Sequence, residues 1–216
     1  MKTTPPFVAC FERMACQQAV MAMVLEHFTK VAQTKEAMDI LCGAEKGKYT
    51  WPYAAMTNLV DAGYEVVSVG DFNIRQFAQN PEGLLTPNKN TPDIAKLQGY
   101  AQEAVKYIDS GKIIWENKAP TISDIKRYVD DPRPYLISHW MDAAKIDGTK
   151  GSRGHFVLVY GIDKKEEKVI FHNPGGYTEE GEPRNICIGQ TLSYDRFTEA
   201  SVPENENGAF LAIRLR

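Results

Sequence analysis

The sequence lacks the features of membrane-spanning and nucleic-acid-binding proteins. It has no run of about 18 or more uninterrupted apolar residues, so no membrane span is predicted. Its 25 Lys and Arg are outnumbered by 28 Asp and Glu, and a net charge of -3 gives no basic field for a phosphate backbone. Glu12 and Arg13 interrupt the N-terminal apolar segment, which therefore does not match a signal peptide. We expect a cytoplasmic protein that has neither a membrane nor a nucleic acid as partner.

Cysteine is sparse, and its spacing matches no metal site. No two of the four cysteines form a CxxC pair, so a structural zinc site is not predicted. Without a secretory context, free thiols are expected. Three of the histidines are conceivable metal ligands, but their spacing matches no simple metal motif. We expect no metal and no cofactor. The cysteines are Cys10, Cys16, Cys42 and Cys187, and the three histidines are His139, His155 and His172.

The length of 216 residues suits one domain. Apolar residues recur at helical spacing in the N-terminal part, whereas the C-terminal part consists of β-branched and aromatic runs separated by turn residues. We predict an α+β fold for residues 1–216, with a mainly helical half (1–131), a mainly sheet half (132–216) and a cleft between them. The predicted helices cover 16–27, 34–41, 52–62, 93–108 and 123–129, with Ser123 as the last N-cap and a late helical turn at 194–197. The predicted strands cover 64–69, 134–140, 155–162, 168–172, 184–188 and 209–215.

Cys16 stands at the start of the first predicted helix. The thiolate is the reactive form of cysteine, and the positive end of a helix favours it by lowering a thiol pKa. A backbone N–H at the same place can donate to an oxyanion. Position alone also fits a small buried cysteine that only packs. Cys16 is therefore a candidate nucleophile that needs a partner base.

The base has to come from another part of the chain. His27 lies three helical turns after Cys16, about 16 Å along the axis, so it cannot touch that sulfur. His139 ends a predicted strand and ranks second as a candidate. His155 follows a flexible run at 147–154 and opens an apolar strand, which places it at the mouth of the sheet beside a loop. We interpret His155 as the base.

Asn173 is the candidate partner of that base. The strand before it ends at His172 and Asn173, and the charged turn at 163–167 folds this end back alongside His155. Asn173 can then accept a hydrogen bond from the imidazole. Neighbouring residues of a strand point to opposite faces, so His172 is expected to point away from His155. An Asn before Pro is also common in turns, and a purely turn-forming role is the alternative.

These segments resemble the bacteriocin-processing cysteine peptidases that cleave after double-glycine leaders, together with their stand-alone relatives in the papain-like superfamily. Residues 16–28, CQQAVMAMVLEHF, resemble that family's catalytic helix, and residues 155–163 resemble its catalytic-histidine strand. Asn173 and Pro174 stand in the place of its Asp-Pro. The resemblance implies a papain-like cysteine proteinase fold, in which N-terminal helices pack on a mostly antiparallel sheet. The catalytic residues that it implies are Cys16, His155 and Asn173.

Two positions depart from that family. It usually has a Gln six residues before the nucleophile, where this chain has Cys10, and a Gly after the nucleophile, where this chain has Gln17. The Gln completes the oxyanion hole, and a missing donor lowers the rate by a factor of about 10² to 10³. Gln17 or Gln18 is a possible replacement. We assign Cys10, Gln17 and Gln18 to the oxyanion region, and the alignment predicts that Cys10 lies near Cys16.

Two functions remain open at this point. The first is a cysteine peptidase-like hydrolase or acyl-transfer enzyme that forms an acyl-enzyme on Cys16 from a peptide or an amide-containing small substrate. The second is a catalytically silent papain-like domain that binds a peptide or a partner protein in the same cleft. The retained Cys, His and Asn favour the first function, and the missing Gln favours the second. The sequence does not determine the oligomeric state.

Overall fold

The described part of the chain consists of eight helices and seven strands. The computed structural model describes residues 3–85, 87–147, 154–175, 187–202 and 208–216. The helices are α1 (Cys16–Thr29), α2 (Lys35–Cys42), α3 (Tyr53–Asp61), α4 (Ile74–Gln79), α5 (Ile94–Asp109), α6 (Ile122–Val129), α7 (Ala143–Asp147) and α8 (Tyr194–Ala200). The strands are β1 (Tyr64–Gly70), β2 (Ile113–Asn117), β3 (Leu136–Asp142), β4 (Gly154–Asp163), β5 (Lys168–Asn173), β6 (Cys187–Ser193) and β7 (Ala209–Leu215).

Most of the predicted elements are present close to their predicted positions. Three short elements were not predicted, namely α4, β2 and α7. The strand predicted at 184–188 is β6, which begins at Cys187, and residues 184–186 lie outside the described residues. Ser123 as an N-cap is wrong. Thr121 caps α6 instead, because its side chain accepts from the Asp124 amide and the Asp124 carboxylate accepts from the Thr121 amide, a reciprocal capping box.

All seven strands belong to one sheet with the order β2-β1-β7-β3-β4-β5-β6. The β1–β2 pair is parallel, and the other pairs are antiparallel. The connection from β1 to β2 contains helices α4 and α5, and a parallel pair requires such a crossover. Because β1 and β2 come from the first 131 residues, the sheet takes strands from both predicted halves of the chain. The mixed composition and the single sheet confirm the predicted α+β class.

Helix α1 is the central helix of the fold. Every residue from Gln17 to Val24 is buried, so the helix is covered on all sides. It packs against β3, β4 and β7 of the sheet and against α2. A second core on the other face of the sheet contains residues of α6 and α8. Among the described helices, none is long and apolar enough to cross a membrane.

Candidate active site

Cys16 is the first residue of α1, and its exposure differs from that of the residues after it. Its side chain is only partly buried, whereas Gln17 is fully buried. Met14 has a φ of 67°, and the Ala15 amide bonds to the Glu12 carbonyl at 3.2 Å, so a tight turn leads into the helix. The first-turn N–H groups precede the first intrahelical bond and give this end its positive partial charge. Cys16 is thus an accessible thiol at an electropositive helix end.

His155 is the second residue of β4 and lies opposite Met141 of β3. Its side chain is 7% exposed. The Nε2 atom lies 2.9 Å from Oδ1 of Asn173, the last residue of β5. The predicted contact between the imidazole and Asn173 is therefore present, although 18 residues separate the two in the chain.

Oδ1 of Asn173 accepts a second hydrogen bond, from the Gly175 amide at 2.9 Å. An amide N–H needs an acceptor, so this bond assigns the oxygen of the Asn173 side chain to the His155 side. Nε2 of His155 must then carry a proton and donate it, which leaves Nδ1 as the acceptor in the neutral ring. Asn173 thus bonds to the imidazole and also closes a turn, and both contacts use the same oxygen atom.

Cys10 links this pair to the start of α1. Its amide donates to the Pro174 carbonyl at 2.9 Å, and its thiol donates to the Gly175 carbonyl at 3.1 Å. Burial, together with the neighbouring Cys16, raises the pKa of the Cys10 thiol, so it stays protonated. The charge of a Cys16 thiolate acts on Cys10, which agrees with the predicted proximity of the two cysteines. A chain of hydrogen bonds therefore runs from Cys10 through Gly175 to Asn173.

The side chains of the predicted oxyanion region have different environments. Gln17 is fully buried, and in the described part of the chain neither of its amide atoms has a hydrogen-bond partner. Gln18 is also buried and donates to Asp39 at 3.3 Å. The Cys10 thiol is directed to the Gly175 carbonyl. Both glutamine side chains are thus buried and the Cys10 thiol already has an acceptor, whereas the first-turn amides of α1 have no intrahelical acceptor.

The remaining histidines have other environments. His139 is fully buried, donates from Nε2 to Ser201 at 2.9 Å and packs on the rings of Phe197 and Phe210, in the core on the opposite face of the sheet from α1. Burial lowers its pKa to about 3. His172 bonds to Pro5 and Gly189 rather than to His155, as predicted. In the described ranges, no group of three or more His, Cys, Asp and Glu is arranged to hold a metal ion.

Trp140 of β3 packs on the two residues that flank His155 in β4, a contact that the sequence did not indicate. A Cβ atom built on Gly154 would lie 1.7 Å from Cζ2 of Trp140, so the indole lies directly over that glycine. The ring also packs on Phe156 with centroids 4.7 Å apart. His155 lies between Gly154 and Phe156 in the chain. The only signal in the sequence is the glycine immediately before the candidate base, because a glycine lets another group approach the backbone closely.

Comparisons with known proteins found a family and a solved structure to which this chain is similar. The model of the family described as "Peptidase_C39 like family" matches residues 3–202. Among solved structures, the chain is similar to the peptidase domain of Streptococcus ComA, a bi-functional ABC transporter involved in a quorum-sensing pathway. The identity is 14%, the TM-score is 0.47, and the match covers 97% of this chain and 98% of that one. Among curated proteins, none matches this chain.

Proposed function

The chain belongs to the Peptidase_C39-like family, and from that premise we propose that it is a thiol hydrolase or acyl-transfer enzyme acting on a peptide or amide bond. Family membership and the helix-on-sheet arrangement confirm the predicted papain-like α+β fold. In the proposal Cys16 is the nucleophile, His155 is the base and Asn173 holds the base. The substrate is a peptide or a small molecule that contains an amide.

The observation that carries the proposal is the hydrogen bond from His155 to Asn173. It fixes the imidazole with Nε2 as donor, so the neutral ring has its lone pair on Nδ1. A base that takes a thiol proton needs this lone pair, and it needs a fixed orientation. The partly exposed thiol of Cys16, at the first residue of α1, is the nucleophile that this base serves in the proposal.

The reaction follows the general course for an acyl-enzyme. Nδ1 of His155 takes the Cys16 thiol proton, and the thiolate attacks the carbonyl carbon of the substrate. The amides at the N-terminus of α1 donate to the developing oxyanion. The imidazolium then returns its proton to the leaving amine, and a thioester remains on Cys16. Water, or the amine of a second substrate, attacks the thioester and releases the product.

Cys10 bears on how fast this reaction runs. A thiol is a weak hydrogen-bond donor, and the Cys10 thiol already donates to the Gly175 carbonyl. An oxyanion hole that lacks a side-chain donor loses a factor of about 10² to 10³ in rate. We infer an enzyme slower than one with the family's usual Gln.

The replacement of that Gln by Cys10 favours a second candidate function, a silent domain that binds a peptide or a partner protein in the cleft. The two candidates differ in the state of Cys16, because only an active thiol is paired with a base. Both candidates bind a peptide, so a binding measurement alone does not distinguish the enzyme from the silent domain.

Alkylation with iodoacetamide at neutral and mildly acidic pH separates the two candidates. An active Cys16 reacts well below the usual thiol pKa of about 8.5, and His155→Ala slows that reaction. Cys187 is also partly exposed and serves as the matched control. If Cys16 labels no faster than Cys187 at pH 6, and His155→Ala has no effect, the enzyme proposal is wrong and the silent domain is favoured.

Two further parts of the proposal come from the sequence. We propose that residues 1–216 form a single domain. We also propose a cytoplasmic location, which is supported by the free thiols of all four cysteines, because a reducing compartment maintains them.

A further inference from the structure

The segment before α1 is fastened to the end of β5. Residues 3–10 lie outside any helix or strand, and we call them the N-terminal strap. Three hydrogen bonds join them to other described residues. Two come from Cys10 to Pro174 and Gly175, and the third joins Nε2 of His172 to the Pro5 carbonyl at 3.1 Å. The strap therefore contacts the residues immediately before and after Asn173.

His172 uses both ring nitrogens. Its Nδ1 accepts from the Gly189 amide of β6 at 3.0 Å, so Nε2 carries the proton and donates to Pro5. The ring is fully buried. It meets Phe7 of the strap edge-on, with centroids 5.7 Å apart, and packs against Tyr160 of β4 at 4.5 Å. One side chain thus joins the strap to three neighbouring strands.

Apolar packing does not explain this histidine. A phenylalanine would make the same contacts with Phe7 and Tyr160, but it would leave the Pro5 carbonyl and the Gly189 amide without the partner that His172 supplies. Buried polar backbone groups that lose their partner destabilise the segment that carries them. The polar links of His172 therefore hold the strap in place.

We propose that His172 is a positioning residue that sets the place of Cys10, and through it the start of α1, relative to Asn173. The attachment holds Cys10 at the end of β5, and the chain continues from Cys10 through the turn at Met14 into Cys16. The catalytic consequence of this placement rests on the proposed function. The attachment itself does not.

The test measures the accessibility of the Cys10 thiol in a Cys16→Ser background, in which the candidate nucleophile is absent. In His172→Phe, alkylation of Cys10 is expected to be about tenfold faster, because local opening of the strap exposes it. In His172→Gln, an amide can still donate to Pro5, and labelling returns toward the original rate. The matched control is His27→Phe, at the far end of α1, which leaves Cys10 labelling unchanged. Unchanged Cys10 labelling in a folded His172→Phe variant would overturn the proposal.

A second measurement needs no substitution of His172. Long-range ¹H–¹⁵N NMR spectra of the unaltered chain identify the tautomer of its ring. The proposal requires the Nε2–H form, whereas an Nδ1–H form or a ring that exchanges rapidly with solvent refutes it. Activity is recorded separately as kcat and KM, with a lower kcat expected in His172→Phe. If no amide substrate is turned over, the proposed function fails while the labelling and tautomer results still decide on His172.

Discussion

Replacing Asn173 by alanine removes one oxygen atom that serves two neighbours. That oxygen accepts from Nε2 of His155 and from the Gly175 amide, both at 2.9 Å. The substitution leaves the buried Gly175 amide without this acceptor and lets the imidazole turn. Asn173→Asp keeps an acceptor in the same place and adds a negative charge beside the ring. Comparing the two variants therefore separates the effect of losing the acceptor oxygen from the effect of losing the amide group.

The expected sizes follow from these bonds. An unpaired buried amide costs about 1 to 3 kcal/mol of stability, and Asn173→Ala is expected to lose that much. The bond to His155 is charge-assisted once the ring is protonated. Losing it costs about 1 to 3 kcal/mol of transition-state stabilisation, which lowers kcat/KM about 5- to 150-fold. Asn173→Asp is expected to keep the stability. Its pH–rate profile extends to higher pH, because a carboxylate favours the protonated imidazole.

Urea denaturation and kcat/KM are measured on the same preparations. Asn58→Ala is the matched control. The Asn58 side chain donates to the Leu41 carbonyl at 2.9 Å, and both residues lie outside the site. This variant is expected to lose stability without a specific loss of turnover in the folded protein. If Asn173→Asp unfolds the chain, or if Asn173→Ala keeps full activity, Asn173 has only a turn role and the assignment of the base loses its support.

Three further outcomes are expected. Cys16→Ala abolishes turnover of any amide substrate and lowers the melting temperature little, because the side chain is only partly buried; a clearly lower melting temperature with activity retained would instead show a packing role. His139 has its pKa lowered to about 3 by burial, so the neutral ring contributes stability above about pH 6.5 that is lost as the pH falls toward 3, up to about 5 kcal/mol. His139→Phe, compared with the original chain in urea at several pH values, should show a shallower loss in acid, and an equal loss would contradict this account. Gly154→Ala forces Trp140 to move and should cost about 1 to 3 kcal/mol, which Trp140→Leu in the same chain partly restores; an unchanged denaturation midpoint for Gly154→Ala would refute the close contact.

Local sequence patterns determined most of the helices and the candidate residues. The apolar positions after Cys16 predicted α1. Thr34 caps the start of α2, and Gly43 ends that helix in the left-handed conformation. The short elements were not predicted because their sequence signals are weak. Helix α4 has six residues in a segment rich in Pro and Asn, and β2 is a five-residue edge strand. The Ser123 cap was wrong because the better-placed Thr121 competes for the same helix end.

The sequence by itself determined which residues are chemically suited to the site, because a helix start, a strand start and a strand end can each be recognised within a few neighbouring residues. Only the tertiary structure decided how they meet. The tautomer of His155 depends on Asn173, 18 residues away, and the environment of Cys10 depends on Gly175, 165 residues away. Hydrogen bonds between distant segments form through the register of strands and the packing of α1 on the sheet, and no local pattern encodes either one. For the same reason the sequence did not reveal that one oxygen of Asn173 serves both the turn and the base.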